Sequence, residues 1–226
     1  MPSEFHPPVE EYLKTVEYLN EEGTPVIQAR LAERMGKSPP AVSEMLDRLR
    51  ADGYLEATRR RIALTAKGRT IAASVIRKHR LAECFLVEVI GLPWYKVHEE
   101  AGLWEHVMSD EVESKLDDLL CHPHVCPHGN PIGLQGGDRV GETMPLRTLA
   151  EAATGETVRL ERLTEEIELD RATLLYLDDC GFVPGSHAEV TVRAPDGTLV
   201  LDTPTATLAL GPEVSRRLFV SVVKGS

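Results

Sequence analysis

The sequence predicts a mainly α-helical chain that ends in a small β module. Three observations carry that reading. Apolar residues recur at helical spacing from Val9 to Leu120, with one short strand–strand pattern between them. From about Glu156 the period shortens to two. Between these regimes lies a stretch rich in Cys, His, Pro and Gly, CHPHVCPHGNPIGLQGG. At 226 residues with 42% apolar content, the chain has room for one large domain or two to three small ones, each with a hydrophobic core.

The first helix is placed at 9–21, where Val9, Tyr12, Leu13, Val16 and Leu19 share a face and Gly23 stops it. A second spans 25–36, with Val26, Ile27, Leu31, Ala32 and Met35 on one side. Gly36 breaks the chain, and a third helix runs from Ser38 to about Ala51. Ser38 is its N-cap, a proline stands in its first turn, and its apolar side is Ala41, Val42, Met45, Leu46 and Leu49. Two helices about a glycine turn read as helix-turn-helix. Tyr54–Thr58 and Ile62–Thr65 then alternate around Arg59, Arg60 and Arg61, a hairpin that makes the unit a winged helix. A long helix follows from Ala66 to Ile90, stopped by Gly91-Leu92-Pro93. Another runs from Trp94 to about Met108, and a further one is capped by Ser109 with Asp110 and Glu111 in its first turn. Strands are predicted around 157–160, 189–192, 199–201 and 217–222. Pro195-Asp196-Gly197 is a turn, and a helix at about 170–179 interrupts the strands, as in a small β-barrel.

The net charge of −11 looks unfavourable for nucleic acid, but it is unevenly spread. Residues 28–80 hold thirteen bases and five acids, so +8 sits in this block, which contains the helix-turn-helix and the wing, and −19 elsewhere. A basic block on a winged helix points to a polyanion, with three arginines at the wing tip as phosphate partners. No segment approaches a membrane span, the amino-terminal stretch has no secretory pattern, and four cysteines are too few for a disulfide scaffold. The expected compartment is the reducing cytoplasm.

His79 and Glu83 lie four apart on the long helix, and His98, Glu105 and His106 share a face of the next one. Imidazoles and carboxylates on adjacent helices suit a first-row divalent ion. No HExxH motif, nucleophile elbow or P-loop is present, so no enzyme is expected. A competing reading is a winged-helix regulator of a small organic effector whose histidines are structural.

The segments RKHRLAE (Arg77–Glu83), KVHEEAGLWEHVMSDEVE (Lys96–Glu113) and CPHGNPI (Cys126–Ile132), with the head AERMGKSPPAVSEMLDRLRADGYL and the distal GFVPGS, resemble the diphtheria toxin repressor family of iron- and manganese-dependent regulators. The resemblance covers nearly the whole chain. It implies a winged helix-turn-helix DNA-binding domain (1–73), a helical metal-binding and dimerisation domain (74–145) and an SH3-like barrel (146–226). It also implies a homodimer that binds Mn²⁺ or Fe²⁺ at two sites per protomer and, on double-stranded operator DNA, represses metal-uptake genes. By resemblance, His79, Glu83 and His98 form one site and Glu105, His106 and Glu11 the other. Cys126 and His128 join the first site in manganese-type members. The barrel of some members adds a carboxylate; Glu168 and Asp170 are nearby but unassigned.

Two positions depart from the family's patterns, Glu11 from the iron type and Gly102 from both types. Iron-type members carry Met and Cys where this chain has Glu11 and Gly102, and manganese-type members carry carboxylates at both. Gly102 offers only a carbonyl, and Glu99, Glu100 or water could complete the site. A sulfur-free set leans towards Mn²⁺. The recognition helix is expected to present Ser38, Pro40, Ala41, Ser43 and Glu44 to the major groove, where apolar contact with thymine methyls supplies modest specificity.

Overall fold

The computed structural model describes residues 7–56, 61–133 and 146–223. Helices α1 (Pro7–Glu21), α2 (Gln28–Arg34) and α3 (Pro39–Ala51) form the head. Its core is one cluster from Val9 to Ala72, with Leu13, Val16, Leu31, Val42, Leu46 and Leu49 sealed from water. Each such side chain contributes roughly 1.5–3 kcal/mol by burial. α2 is shorter than the periodicity predicts. Ile27 is extended and Val26 reaches the core from the turn, so apolar spacing continues after the helical backbone has stopped. Ser38 caps α3 by accepting from the Ala41 amide, with Pro39 and Pro40 in the first turn.

The wing is narrow among the described residues. Leu55 pairs with Leu64, the Glu56 amide donates to Ala63, and the Thr65 amide donates to Tyr54. Arg59 and Arg60 at its tip lie outside the described residues; Arg61 is described and exposed. Helix α4 (Ala66–Glu88), capped by Thr65 Oγ1, runs from the wing into the next unit and packs on α1 and α5.

The helix expected over 94–108 is broken. A 3-10 turn at Trp94–Lys96 leads into α5 (Val97–Trp104), and residues 105–107 are turn before Ser109 caps α6 (Asp110–Leu119). The Val107 and Met108 amides both return to the Trp104 carbonyl, which tightens the end of α5 while Glu105 keeps helical dihedrals. Glu105 and His106 therefore keep the facing the periodicity assigns.

The distal module is an antiparallel sheet of order β1-β6-β2-β3-β4-β5. Its strands are β1 (Arg147–Thr148), β2 (Thr157–Leu163), β3 (His187–Arg193), β4 (Leu199–Asp202), β5 (Thr207–Leu210) and β6 (Leu218–Val222). β1 and β5 escape the sequence reading; β1 holds only two residues, too few to show alternation. Alternation buries Val158, Leu160, Val190, Leu199, Leu201, Leu208 and Val220 under α8 (Arg171–Asp179), which Asp170 caps. The one-turn helix α7 (Glu165–Glu168) follows β2, and α9 (Pro212–Ser215) precedes β6.

Charged side chains join the three units. Arg34 of α2 reaches Glu22 at 2.8 Å and Glu165 of α7 at 2.9 Å. Arg80 holds Glu21 at 2.6 Å and the Pro131 carbonyl at 2.7 Å. Arg162 of β2 donates to the Glu21 carbonyl. These contacts tie α7 to α2, β2 to α1, and both α1 and the loop 121–133 to α4.

Candidate metal centres and nucleic-acid interface

Two groups of donor atoms form around α4. In the first, His79, Glu83, His98 and Glu168 each offer one atom within 4.8 Å of the others, all buried. His98 Nδ1 lies 2.8 Å from Glu168, 3.2 Å from Glu83 and 3.0 Å from His79 Nε2. Cys126 and His128 converge on the same Glu83, with His128 Nδ1 3.1 Å from its Oε1. The loop can present them because Gly129 takes φ +82°, a left-handed turn that brings its backbone against β2.

The second group is Glu11, Glu105 and His106. His106 Nε2 lies 2.6 Å from Glu11 and 3.1 Å from Glu105. Glu10, which sequence reasoning passed over, holds His106 Nδ1 at 2.6 Å. Gly102 faces open space, with no heavy atom within 4 Å of where a Cβ would stand. Of the two glutamates considered as its replacement, Glu100 accepts from the Trp104 indole and Glu99 is exposed.

One imidazole spans both groups. His79 Nδ1–H donates to Glu105 Oε2 at 2.6 Å while Nε2 faces Glu83 and His98. This is the carboxylate–histidine arrangement that orients a metal ligand. Similarly, His128 Nε2–H donates to the Trp94 carbonyl at 3.1 Å, leaving Nδ1 directed inward. Glu83 Oε2 is buried without a hydrogen-bond partner, and His128 Nδ1 has Glu83 Oε1 before it at 3.1 Å. Acceptors converging in this way inside a cluster of imidazoles and carboxylates are chemically suited to a divalent cation.

Electrostatics agree. Burial would lift the Glu83 carboxyl, but His128 and His79 hold it well below its usual range. Burial opposes charging of His79, and the neighbouring Glu83 and Glu105 carboxylates outweigh it and raise its pKa. Hydrogen bonds to Glu10, Glu105 and Glu11 push His106 up to about 11. Burial and Glu83 push the Cys126 thiol up to about 12, so it stays protonated until a cation displaces the proton.

Glu168 had only proximity to recommend it. It sits 85 residues from Glu83 and among other acids at 161–170, so no spacing marks it. The fold selects it because one turn of α7 aims it at His98, while Asn130 Nδ2 donates to its other oxygen at 2.5 Å.

On the head, Ser38, Pro40, Ala41 and Glu44 are exposed at the start of α3 and Ser43 is half-buried. Lys37 and Arg48, which the sequence reading left unassigned, are also exposed on this surface. No helix among the described residues is long and apolar enough to cross a membrane.

Comparison with known proteins gives consistent results. Residues 4–63 match the iron dependent repressor N-terminal DNA binding domain, 65–133 its metal binding and dimerisation domain, and 147–222 the FeoA domain. The iron-dependent repressor IdeR of Mycobacterium leprae is 44% identical over 204 residues, covering 86% of this chain and 88% of that one. The diphtheria toxin repressor of Corynebacterium glutamicum is 37% identical over 222 residues, covering 96% of each. A solved manganese-dependent transcriptional repressor in complex with manganese superposes with TM-score 0.84 at 30% identity, covering 95% of this chain and all of that one. ScaR with bound Zn²⁺ superposes at 0.79 with 31% identity, covering 95% and 99%.

Proposed function

The chain belongs to the iron-dependent repressor family, and from that membership we propose a homodimeric transcriptional repressor that Mn²⁺ or Fe²⁺ switches on for operator DNA. The observation that carries it is the pair of donor clusters around α4, joined by the hydrogen bond between His79 of one and Glu105 of the other, and both reaching outside the helical unit.

The first centre joins the helical unit to the distal module through Glu168, with Cys126 and His128 completing it. The second joins it to the head through Glu11 of α1. A divalent ion at each would supply the positive charge that lets buried carboxylates converge. Glu11 then holds α1, and with it α3 and the wing, at a set position relative to α5. Restricting the head in this way favours the DNA-competent arrangement only if that arrangement binds metal better, as population-shift arithmetic requires.

Leu103, Val107, Val112 and Leu119 are exposed apolar residues on α5, the turn after it and α6. They form the proposed dimer face, which sets two recognition helices on successive major grooves. Residues 38–44 read bases there, and Arg59, Arg60 and Arg61 grip phosphates. The oxygen-rich second centre supports a preference for Mn²⁺, and two ions per protomer is the proposed stoichiometry. The controlled genes are those of metal uptake, the compartment is the cytoplasm, and no catalytic role is assigned.

The test is operator affinity by fluorescence anisotropy with Mn²⁺, with Fe²⁺ under anaerobic conditions, and with chelator. A large gain with metal supports the reading. Equal affinity in chelator overturns it and favours an organic effector; a full metal response in the Glu105→Ala, His106→Ala double variant overturns the role given to the second centre.

A further inference from the structure

The second centre already contains a cation. Lys14, three residues along α1 from Glu11, is 6% exposed and points into the donor cluster. Its Nζ lies 2.5 Å from Glu105 Oε1 and 3.2 Å from Glu11 Oε1. Those two oxygens and His106 Nε2 are the atoms that converge as a ligand set, and both oxygens are already within 2.6–3.1 Å of that nitrogen.

We propose that Lys14 is the resident counter-cation of this centre, so that metal binding there exchanges a tethered ammonium for a free divalent ion. This rests on the reading of Glu11, Glu105 and His106 as a metal centre. A metal–carboxylate bond is about 2.0–2.2 Å long. An ion on Glu105 Oε1 would therefore stand at most about 4.7 Å from Nζ if Lys14 stayed in place. Two cations at that separation, sharing two carboxylates, repel strongly in a poorly solvated site. Lys14 must swing away, and the solvent-facing partner beside it is Glu11, whose side chain is 39% exposed.

The exchange has two consequences. Without metal, the ammonium satisfies the buried Glu105 and keeps the second centre closed, so the head is not left with a repelling acid cluster. With metal, the free energy lost from the Lys14 contacts subtracts from the intrinsic affinity, which raises the concentration at which the regulator responds. Lys14 is thus a threshold residue, neither a ligand nor a DNA contact. Among the described residues the first centre has no comparable ammonium; its cationic partners are imidazoles, which become ligands on losing a proton.

The experiment is calorimetric titration of the full-length, chelator-stripped protein with Mn²⁺, comparing the wild type with Lys14→Met and Lys14→Arg. Methionine keeps the length and helix preference of lysine without its charge. The expected result is a second-centre dissociation constant at least tenfold lower in Lys14→Met. The constant should stay within about threefold of wild type in Lys14→Arg, and the first centre should not change. The metal-free Lys14→Met protein should melt below wild type and gain more from added Mn²⁺. Unchanged or weaker binding in Lys14→Met would mean that Lys14 supports the site, and would overturn the proposal.

A second measurement needs no variant. Amine-directed acetylation of the wild type, read by mass spectrometry, should find Lys14 protected without metal and labelled with saturating Mn²⁺. Equal protection in both states overturns the proposal. If Glu105→Ala leaves the Mn²⁺ stoichiometry of the wild type intact, the metal reading of the centre fails, which is a separate outcome.

Discussion

Replacing Gly129 with alanine isolates the contact that holds the Cys126–His128 loop on the distal sheet. Gly129 has φ +82°, and a Cβ there would lie 1.9 Å from the Glu161 carbonyl oxygen and 2.8 Å from Arg162 Cα. Both are backbone atoms of β2, whose Val158, Leu160 and Leu163 are fully buried, so the strand cannot yield by a rotamer change. Reaching ordinary contact near 3.4 Å requires a displacement of about 1.5 Å. That shift would carry the Leu163 amide, now 3.0 Å from the His128 carbonyl, out of hydrogen-bond range, and would strain the Asn130 bonds to Leu163 and Glu168. Left-handed strain costs about 1–2 kcal/mol, and two to three hydrogen bonds at about 1 kcal/mol each bring the total to about 3–5 kcal/mol.

Gly36→Ala is the control. It has φ +59° with nothing within 4 Å, so only the strain, about 1 kcal/mol, should appear. Urea unfolding followed by the fluorescence of Trp94, which packs beside His128, measures both. Mn²⁺ titration should show the first centre weakened in Gly129→Ala and the second intact. Gly129→Asn should be as damaging, because asparagine tolerates the dihedral but not the clash. Stability of Gly129→Ala within about 0.5 kcal/mol of Gly36→Ala, with the first centre unaltered, would refute the reasoning.

Three further outcomes are expected. Glu168→Ala should weaken Mn²⁺ binding at the first centre at least about 100-fold, the upper end of what even an indirect partner contributes, and leave the second centre unchanged by calorimetry. His106 is pushed up to about 11, so it carries a proton at pH 7.5, and a metal-bound Nε2 cannot. Binding at the second centre should therefore release about one proton and strengthen as pH rises from 7 to 9, as titration in buffers of differing ionisation enthalpy would show; affinity independent of pH would contradict the assignment. Leu103, 70% exposed, should lie on the dimer face. Leu103→Asp counts twice across a two-fold axis and should weaken dimerisation by roughly 10²–10⁴, from about 1.5–3 kcal/mol per site; an unchanged sedimentation profile would move the interface elsewhere.

The helical half was readable because its signals are local. Ser38 and Ser109 cap helices where their position before an apolar run says they should. His79 and Glu83 meet because four residues make one helical turn. The strands that alternate over four to seven residues were also legible apart from β5, while β1 and α7 were too short to leave a period. The site was legible in the same proportion. Glu83 sits on α4, and His98, Glu105 and His106 on α5 and the turn that continues its facing, with regular spacing. Glu168, Glu10 and Lys14 reach the centres from α7 and α1 through packing between units, which no spacing along the chain records.

The sequence by itself determined that a basic winged head is joined to helices bearing a histidine–carboxylate set, because charge segregation and helical periodicity are properties of neighbouring residues. Only the tertiary structure decided which acids enter the centres, that His79 links the two, and that an ammonium occupies one of them. Those facts depend on the approach of α1 and α7 to α4, which is set by buried ion pairs such as Arg34–Glu165 and Arg80–Glu21 between segments dozens of residues or more apart.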